Sequence, residues 1–209
     1  MLSATTIKSI QDEYTALWHD QESPAPVAPS GADPLTQPVD FTRVVVEQHY
    51  SNFELWHAED DARAPGATDH EIVRSKRLID QVNQRRNDLA ERCDLLLMNY
   101  LNARGLPIST AELHSETPGM MIDRLSILSL KLFHTAEQIS RRDAPEGHAE
   151  RNRERHRILL DQRDSLAGCL DALWMHVLAG QRRIQLYLQL KMYNDPSLGP
   201  VRHNTRNAR

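Results

Sequence analysis

Residues 115–134 constrain the fold most strongly, because a helix-start signal is followed there by sustained helical periodicity. The Thr117 hydroxyl is predicted to cap the helix, and Pro118 suits the first helical position, where no backbone N–H is needed. Apolar side chains then recur at helical spacing, at Leu125, Leu128, Leu132 and Ile139. The segment therefore predicts a long helix with one face in an apolar core.

Polar side chains occupy a separate strip of the same predicted helix. At about 100° per residue the strip spans an arc of roughly 80°, and it holds Asp123, Lys131, His134 and Gln138. A carboxylate, an ammonium and an imidazole on one strip suit acid–base chemistry and the binding of an anion. A hydrated seam without chemistry is the alternative interpretation, and the sequence leaves both open.

Helical periodicity also predicts a bundle around this helix. Glycine and proline turns separate the other predicted helices, which cover residues 4–20, 40–63, 68–104 and about 148–193. Because long helices with short connections are typical of helical bundles, we expect an all-α fold. The expected architecture is an antiparallel helical bundle of four to five long helices with a short N-terminal helix. The expected divisions are an N-terminal helix over 1–20, a proline-rich linker over 21–39, a bundle domain over 40–196 and a disordered tail over 197–209.

The composition limits the class of protein. The chain has 209 residues, 40% of them hydrophobic and 26% charged, which fits one globular domain. Its net charge of −4 argues against broad contact with a nucleic-acid backbone. We see no secretory signal and no apolar run near the roughly 20 residues of a membrane span, so the cytoplasm is the expected compartment. Cys93 and Cys169 form no C-x-x-C motif, and we expect two reduced, buried thiols.

The predicted helix over 40–63 carries a mixed strip at spacings of four, three and four residues, formed by Asn52, Trp56, Glu59 and Arg63. The same face holds Phe41 and Val45, so we expect the strip to point inward. Buried charges need partners, because an isolated buried ion costs several kcal/mol. The alternative is a Glu59–Arg63 pair one helical turn apart on a solvated surface.

The predicted helix over 68–104 has a straight polar stripe at spacings of three and four residues, formed by Lys76, Asp80, Asn83, Asn87, Glu91 and Asp94. Arginines on another face are the natural solvent side. The stripe is then expected at the edge of the core, where a ligand, a metal or a partner helix would meet it. An exposed ladder of pairs one turn apart is the alternative.

Four blocks of the sequence carry a family resemblance. They read LWHxEDxAR over 55–63, NQxRND over 83–88, SETPGMMIDRLSIL over 115–128 and KMYNDP over 191–196. In these blocks the chain resembles a bacterial family, the domain of unknown function 4254. The resemblance implies an all-helical protein. Members tend to be encoded near glycosyltransferases for lipopolysaccharide or other surface glycans, which implies a pathway but no reaction.

A second resemblance concerns Glu91-x-x-Asp94, which is similar to a motif of the all-α nucleoside-triphosphate pyrophosphohydrolases. In those enzymes a carboxylate pair one helical turn apart binds Mg²⁺, which contacts phosphate oxygens and activates water. The family also requires an upstream E-x-x-E, and this chain has Glu54-x-x-His57 instead. That sequence also resembles half of a carboxylate-bridged di-iron site, although a second Glu-x-x-His is missing.

We interpret these features first as an internal polar pocket for a small anionic ligand, a phosphorylated sugar or a nucleotide-sugar. The catalytic candidates are ionisable groups whose pKa values would shift on burial, namely Glu59, Asp123 and His134. The ligand-binding candidates come from the polar strips and the sequence blocks, and they are Asn52, Trp56, Arg63, Lys76, Asp80, Asn83, Asn87, Glu116, Arg124, Lys131, Lys191, Tyr193, Asn194 and Asp195.

Two other functions are compatible with the same residues. One is a non-catalytic interaction partner of a glycosyltransferase, in which the polar strips specify helix packing or an interface. A homo-oligomer fits this interpretation as well. The other is a Mg²⁺-dependent pyrophosphohydrolase with Glu91 and Asp94 as metal ligands. The sequence alone selects no reaction and leaves open whether the chain is an enzyme.

Overall fold

A computed structural model describes residues 2–21, 24–25 and 41–188 of the chain. These residues form five helices and one short strand pair, with α1 at Ala4–His19, α2 at Phe41–Ala62, α3 at Asp69–Asn102, β1 at Glu112–Leu113, α4 at Pro118–Ser140, α5 at His148–Leu178 and β2 at Arg182–Arg183. The predicted all-α bundle, with four long helices and a shorter N-terminal one, is confirmed.

Side-chain caps fix where the helices begin. The Thr117 hydroxyl accepts a hydrogen bond from the Met120 N–H at 3.3 Å, and Pro118 occupies the first helical position of α4. At the start of α3, Thr68 and Glu71 form a capping box, in which each side chain binds the backbone N–H of the other. The start of α4 agrees with the predicted cap, and α3 starts at Asp69, within one residue of the predicted start at 68.

The core lies between two packed helix pairs. Helix α2 packs against α3, α4 packs against α5, and α1 lies mainly on α4. The main cluster of buried apolar side chains is aliphatic at its centre and includes Val45, Leu97, Leu101, Ile122, Leu125, Leu170 and Val177. A smaller cluster around Trp18 and Phe53 joins α1 to α2. The first helix is therefore part of the bundle.

The last helix is shorter than predicted, and the prediction that it continues to residue 193 is wrong for the residues described. Helix α5 ends at Leu178, and Gly180 follows with a φ of +70°, a conformation that glycine adopts without strain. The chain then turns back, and β2 pairs in parallel with β1 through Glu112 opposite Arg182. Apolar periodicity continued beyond the glycine, so periodicity alone missed the end of the helix.

Apolar side chains at helical spacing from Ile158 to Leu188 predict a core stripe along the last helix, but some of them face solvent in the structure. Ile158 is 42% exposed and Leu188 is 62% exposed. Cys169 is also exposed, so the expectation of two buried thiols is wrong for this residue, whereas Cys93 is fully buried. The stripe is therefore buried over most of its length, at Leu166, Leu170, Leu173 and Val177, and exposed at Cys169 and at its two ends.

Parts of two predicted segments lie outside the described residues. The structure describes residues 21, 24 and 25 of the expected linker over 21–39, and none of 189–209. The candidates Lys191, Tyr193, Asn194 and Asp195, and the expected tail over 197–209, fall in that range. Among the helices that are described, none combines the length and the apolar character that crossing a bilayer requires.

Candidate functional site

The Asp123 carboxylate is the centre of a polar network between α2, α3 and α4. Arg86 binds it through two hydrogen bonds, from Nε to Oδ1 at 2.7 Å and from Nη2 to Oδ2 at 2.5 Å. Asn52 Nδ2 donates to Oδ1 at 3.0 Å, and Gln48 Nε2 donates to the same oxygen. The protein's own donors therefore occupy the carboxylate, and they give Asp123 a role in joining helices. Its catalytic role stays a prediction.

The network continues from Asn52 into the bundle interior. Asn52 Nδ2 also donates to Ser126 Oγ at 2.9 Å, Ser126 Oγ lies 2.7 Å from His49 Nδ1, and His49 Nε2 lies 2.8 Å from Thr15 Oγ1. Because Thr15 donates its hydroxyl hydrogen to the Gln11 carbonyl at 2.7 Å, its oxygen must accept from His49 Nε2–H. His49 Nδ1 then accepts from the Ser126 hydroxyl, so the direction of every bond is fixed.

His49 holds this chain of hydrogen bonds as a neutral imidazole. Its side chain is completely buried, and the loss of hydration lowers its pKa to about 3. Protonation would also replace the acceptor at Nδ1 with a donor, so the Ser126 hydroxyl would lose the group to which it donates. The interior site is therefore closed by protein groups and acts as a structural network.

The Asp94 carboxylate caps the start of α4. Its Oδ2 accepts from the Thr117 hydroxyl at 2.5 Å, and its Oδ1 accepts from the Gly119 N–H at 2.6 Å. A Cβ on Gly119 would lie 2.3 Å from the Ala90 carbonyl oxygen, so only glycine permits this approach of α4 to α3. Burial raises the pKa of the Asp94 carboxyl to about 6, although these two donors oppose the shift.

The predicted Mg²⁺ ligands Glu91 and Asp94 line one small depression of about 200 Å³ beside Tyr187. Both oxygens of Asp94 already bind groups at the start of α4. A metal ion at this place would have to compete with the helix cap. The magnesium site stays a prediction, and the structure shows a structural role for Asp94 as the cap of α4.

The mixed strip of α2 runs from the core to the surface. Asn52 is buried and Trp56 is half-buried, whereas Glu59 and Arg63 form an ion pair of 2.6 Å with side chains 36% and 70% exposed. The expected inward orientation is therefore wrong for the last two residues. With Arg86 they line a shallow depression of about 310 Å³.

The polar stripe of α3 divides into separate groups. Lys76 and Asp80 form an exposed ion pair at 2.7 Å, and Asn83 and Asn87 are half-buried farther along the helix. At its start the stripe is an exposed ion pair, as the alternative interpretation predicted. At its end Asp94 contacts the start of α4. Arg86, which lies between the two asparagines, was not predicted, although it lies inside the NQxRND block.

A groove of about 860 Å³ runs between α4 and α5. Three predicted ligand-binding residues, Glu116, Arg124 and Lys131, lie along it. Glu116 and Arg124 form an ion pair at 2.6 Å. The Lys131 ammonium has no hydrogen-bond or ion-pair partner within the described part of the chain. The remaining lining is mixed in character and includes His114, Ile127, Leu128, Ile158, Asp161, Gln162 and Cys169.

A second groove of about 440 Å³ adjoins the first, and the two share Lys131, Ile158 and Gln162. Trp56 and the predicted catalytic residue His134 line it, with their rings stacked at a centroid distance of 4.6 Å. Arg155 of α5 also faces it and donates to Asn152 at 3.3 Å. The structure therefore brings Trp56, Lys131 and His134 together and leaves Lys76 and Asp80 apart.

The fold and the site define an all-α bundle with a closed polar network inside and a continuous groove along the outer side of α4. The chain belongs to the family described as protein of unknown function (DUF4254), whose sequence profile matches residues 42–186. This range covers nearly all of α2 and the whole of α3, α4 and α5, and the family expected from the resemblance is confirmed. No curated protein and no solved structure matches the chain.

Proposed function

We propose that the chain binds a small phosphorylated ligand, a phosphorylated sugar or a nucleotide-sugar, in the joined grooves along α4. The observation that carries this proposal is the position of Lys131 at their junction, without an acidic partner in the described residues. Grooves of about 860 and 440 Å³ lie in the size range of small-molecule sites. The closed interior network leads us to place the ligand in the grooves rather than inside the bundle.

The distribution of charge supports an anion at the Lys131 end. The two carboxylates of the larger groove are already paired, Glu116 with Arg124 and Asp161 with Arg157. Lys131 and Arg155 form no ion pair among the residues described. A phosphate between them would gain charge-assisted hydrogen bonds, with Lys131 as a point charge and Arg155 as a planar fork. The apolar lining of Ile127, Leu128 and Ile158 suits the less polar part of the ligand.

The pathway part of the proposal rests on the family resemblance. Family members tend to be encoded near glycosyltransferases, so we place the activity in the metabolism of surface glycans, in the cytoplasm where nucleotide-sugars are used. No reaction is assigned, because the residues of the groove define binding of an anion and leave the chemistry open. Among the catalytic candidates, His134 is the one that lines the groove.

The proposal is tested by a thermal-shift screen of nucleotide-sugars, sugar phosphates and nucleotides, each with and without Mg²⁺. A ligand at a hundredfold its Kd stabilises the protein by about 2.7 kcal/mol, which raises the melting temperature visibly. Lys131→Ala and Arg155→Ala should each weaken binding by about tenfold or more. Arg153→Ala is the matched control, because it removes an exposed charge of α5 outside the groove lining. A flat panel overturns the proposal.

A second candidate function is that of a binding partner of a glycosyltransferase. It is favoured by two exposed apolar side chains, Val73 and Leu78, which line one depression near the start of α3. Exposed apolar groups that cluster in this way mark interaction surfaces. A tagged chain should then retain a co-expressed glycosyltransferase from the same gene neighbourhood, and Val73→Glu with Leu78→Glu should abolish retention. Self-association that the double variant also abolishes would point to a homo-oligomer instead.

A further inference from the structure

Three histidines from three helices meet beside the smaller apolar cluster. His19 is the last residue of α1, His57 lies in α2 and His134 lies in α4. The ring of His19 is 5.2 Å from that of His57 and 4.8 Å from that of His134, measured between centroids, and the remaining pair is 5.9 Å apart. One ring nitrogen from each histidine lies within 4.8 Å of the other two.

The Nδ1 atoms of all three rings are already engaged. His19 Nδ1 lies 2.7 Å from the Thr15 carbonyl oxygen, and His57 Nδ1 lies 2.8 Å from that of Phe53. A carbonyl oxygen can only accept, so these Nδ1 atoms carry the hydrogen, and in the neutral ring the lone pair is on Nε2. His134 Nδ1 lies 2.8 Å from the Glu137 carboxylate, which imposes the same tautomer. Contacts of this kind orient metal-binding imidazoles.

Two of the Nε2 atoms need a partner that the described residues do not supply. The Nε2 atoms of His19 and His134 are buried and form no hydrogen bond within this part of the chain. Buried polar atoms are nearly always satisfied, because an unsatisfied acceptor loses its hydration without compensation. A cation placed between the rings would satisfy both atoms at once.

The surrounding side chains hold the rings in place. Phe133 stacks on His19 with centroids 4.1 Å apart, and Trp56 stacks on His134 at an interplanar angle of 8°. This packing fixes the ring orientations of His19 and His134.

We infer that His19, His57 and His134 form a binding site for a divalent transition-metal ion of the Zn²⁺ type, held by their three Nε2 atoms. Three imidazoles without a thiolate select Zn²⁺ and its neighbours over Mg²⁺ or Ca²⁺, which prefer oxygen ligands. Tetrahedral Zn²⁺ with Zn–N distances of about 2.0–2.1 Å needs its nitrogens about 3.3 Å apart. The structure places one ring nitrogen of each histidine within 4.8 Å of the other two, so side-chain rotations that move the nitrogens by about 1 Å provide this spacing.

The ion would join α1 to α2 and α4, and three protein ligands would leave a fourth position for water or another group. This inference is independent of the phosphorylated ligand, since it rests on the three histidine rings and not on Lys131 or Arg155.

The experiment is a titration of tag-free, chelator-treated protein with ZnCl₂, followed by calorimetry and by melting temperature. One equivalent of Zn²⁺ should bind and raise the melting temperature, and MgCl₂ should do neither.

Variants identify the ligands. His57→Ala should weaken Zn²⁺ binding by about 100-fold or more, while His70→Ala, which removes an exposed histidine of α3, should bind as the unaltered chain does. Retained affinity in His57→Ala, or no binding by the unaltered chain, overturns the inference. X-ray absorption of the zinc-loaded unaltered chain tests it without any variant. Imidazole nitrogens at about 2.0 Å support the site, and a shell of oxygens alone contradicts it.

Discussion

Arg86 of α3 binds Asp123 of α4 through two parallel hydrogen bonds, and the two side chains are only 20% and 14% exposed. The pair lies where the helix pair α2–α3 meets α4. Removing one partner of a shielded ion pair leaves the other charge unpaired, and this costs more than the pair itself contributes. The consequence is that Asp123 is needed for stability before any question of chemistry arises.

Asp123→Asn should therefore lower the free energy of unfolding by about 3 kcal/mol, measured by urea denaturation. Asp80→Asn is the matched control, because Asp80 pairs with Lys76 on the exposed surface, and a change below about 1 kcal/mol is expected there. A stable Asp123→Asn protein that loses ligand binding would instead assign Asp123 to the reacting site.

Gly119→Ala should destabilise the protein by roughly 1–3 kcal/mol or more, because the new methyl group meets the Ala90 carbonyl and the Asp94 carboxylate. Gly168→Ala provides the opposite case, since nothing lies within 4 Å of a Cβ at that exposed position of α5. It should stabilise by about 0.5–1 kcal/mol. Thermal unfolding of the two variants would contradict this account if their melting temperatures moved in the same direction.

The buried His49 predicts a loss of stability in acid. Its folded-state pKa of about 3 lies below the unfolded value of about 6.5, so between these values the unfolded chain binds a proton that the folded chain does not. This contribution is complete above pH 6.5 and is lost by about 1.4 kcal/mol per pH unit as the pH falls below it. The free energy of unfolding, measured by urea denaturation at several pH values from 7 to 4, should fall less steeply with pH in His49→Gln than in the unaltered chain. An equal dependence on pH in the two proteins would refute the prediction.

The two cysteines should differ in reactivity towards a thiol reagent. Cys169 is exposed in the larger groove, whereas Cys93 is buried and burial raises the pKa of its thiol. We expect one fast thiol in the native protein and a second on unfolding, counted with a chromogenic disulfide reagent. A ligand that fills the groove should slow the reaction of Cys169. If Cys169 reacts at the same rate with the ligand bound, the ligand binds elsewhere.

Local interactions made much of the fold predictable from the sequence. Thr117 and Pro118 act within one helical turn, so their roles at the start of α4 follow from spacing alone. The end of α5 was missed because apolar periodicity continues past Gly180, where a single left-handed residue redirects the chain. The hydrophobic pattern contains no information about the backbone conformation of a single residue.

The site was less predictable because its partners are far apart in sequence. The strip of α4 contained Asp123, Lys131 and His134, but nothing local indicated that Asp123 faces Arg86 while Lys131 faces a groove. His19 is separated from His57 by the proline-rich segment, and it reaches the other histidines only because α1 packs on α4 and α2. Contacts between side chains of different helices depend on the rotation of each helix about its own axis. Periodicity predicts that rotation only to within a fraction of a turn.

The interior chain of hydrogen bonds from Thr15 through His49, Ser126 and Asn52 to Asp123 and Arg86 crosses α1, α2, α4 and α3 at one level. Aliphatic contacts alone would tolerate a helix that slides along its neighbour by one turn. The directional bonds do not, since a shift of 5.4 Å separates every donor from its acceptor. The polar layer thus fixes the axial registry of four helices, and with it the height at which Lys131 and His134 of α4 lie beside Trp56 of α2.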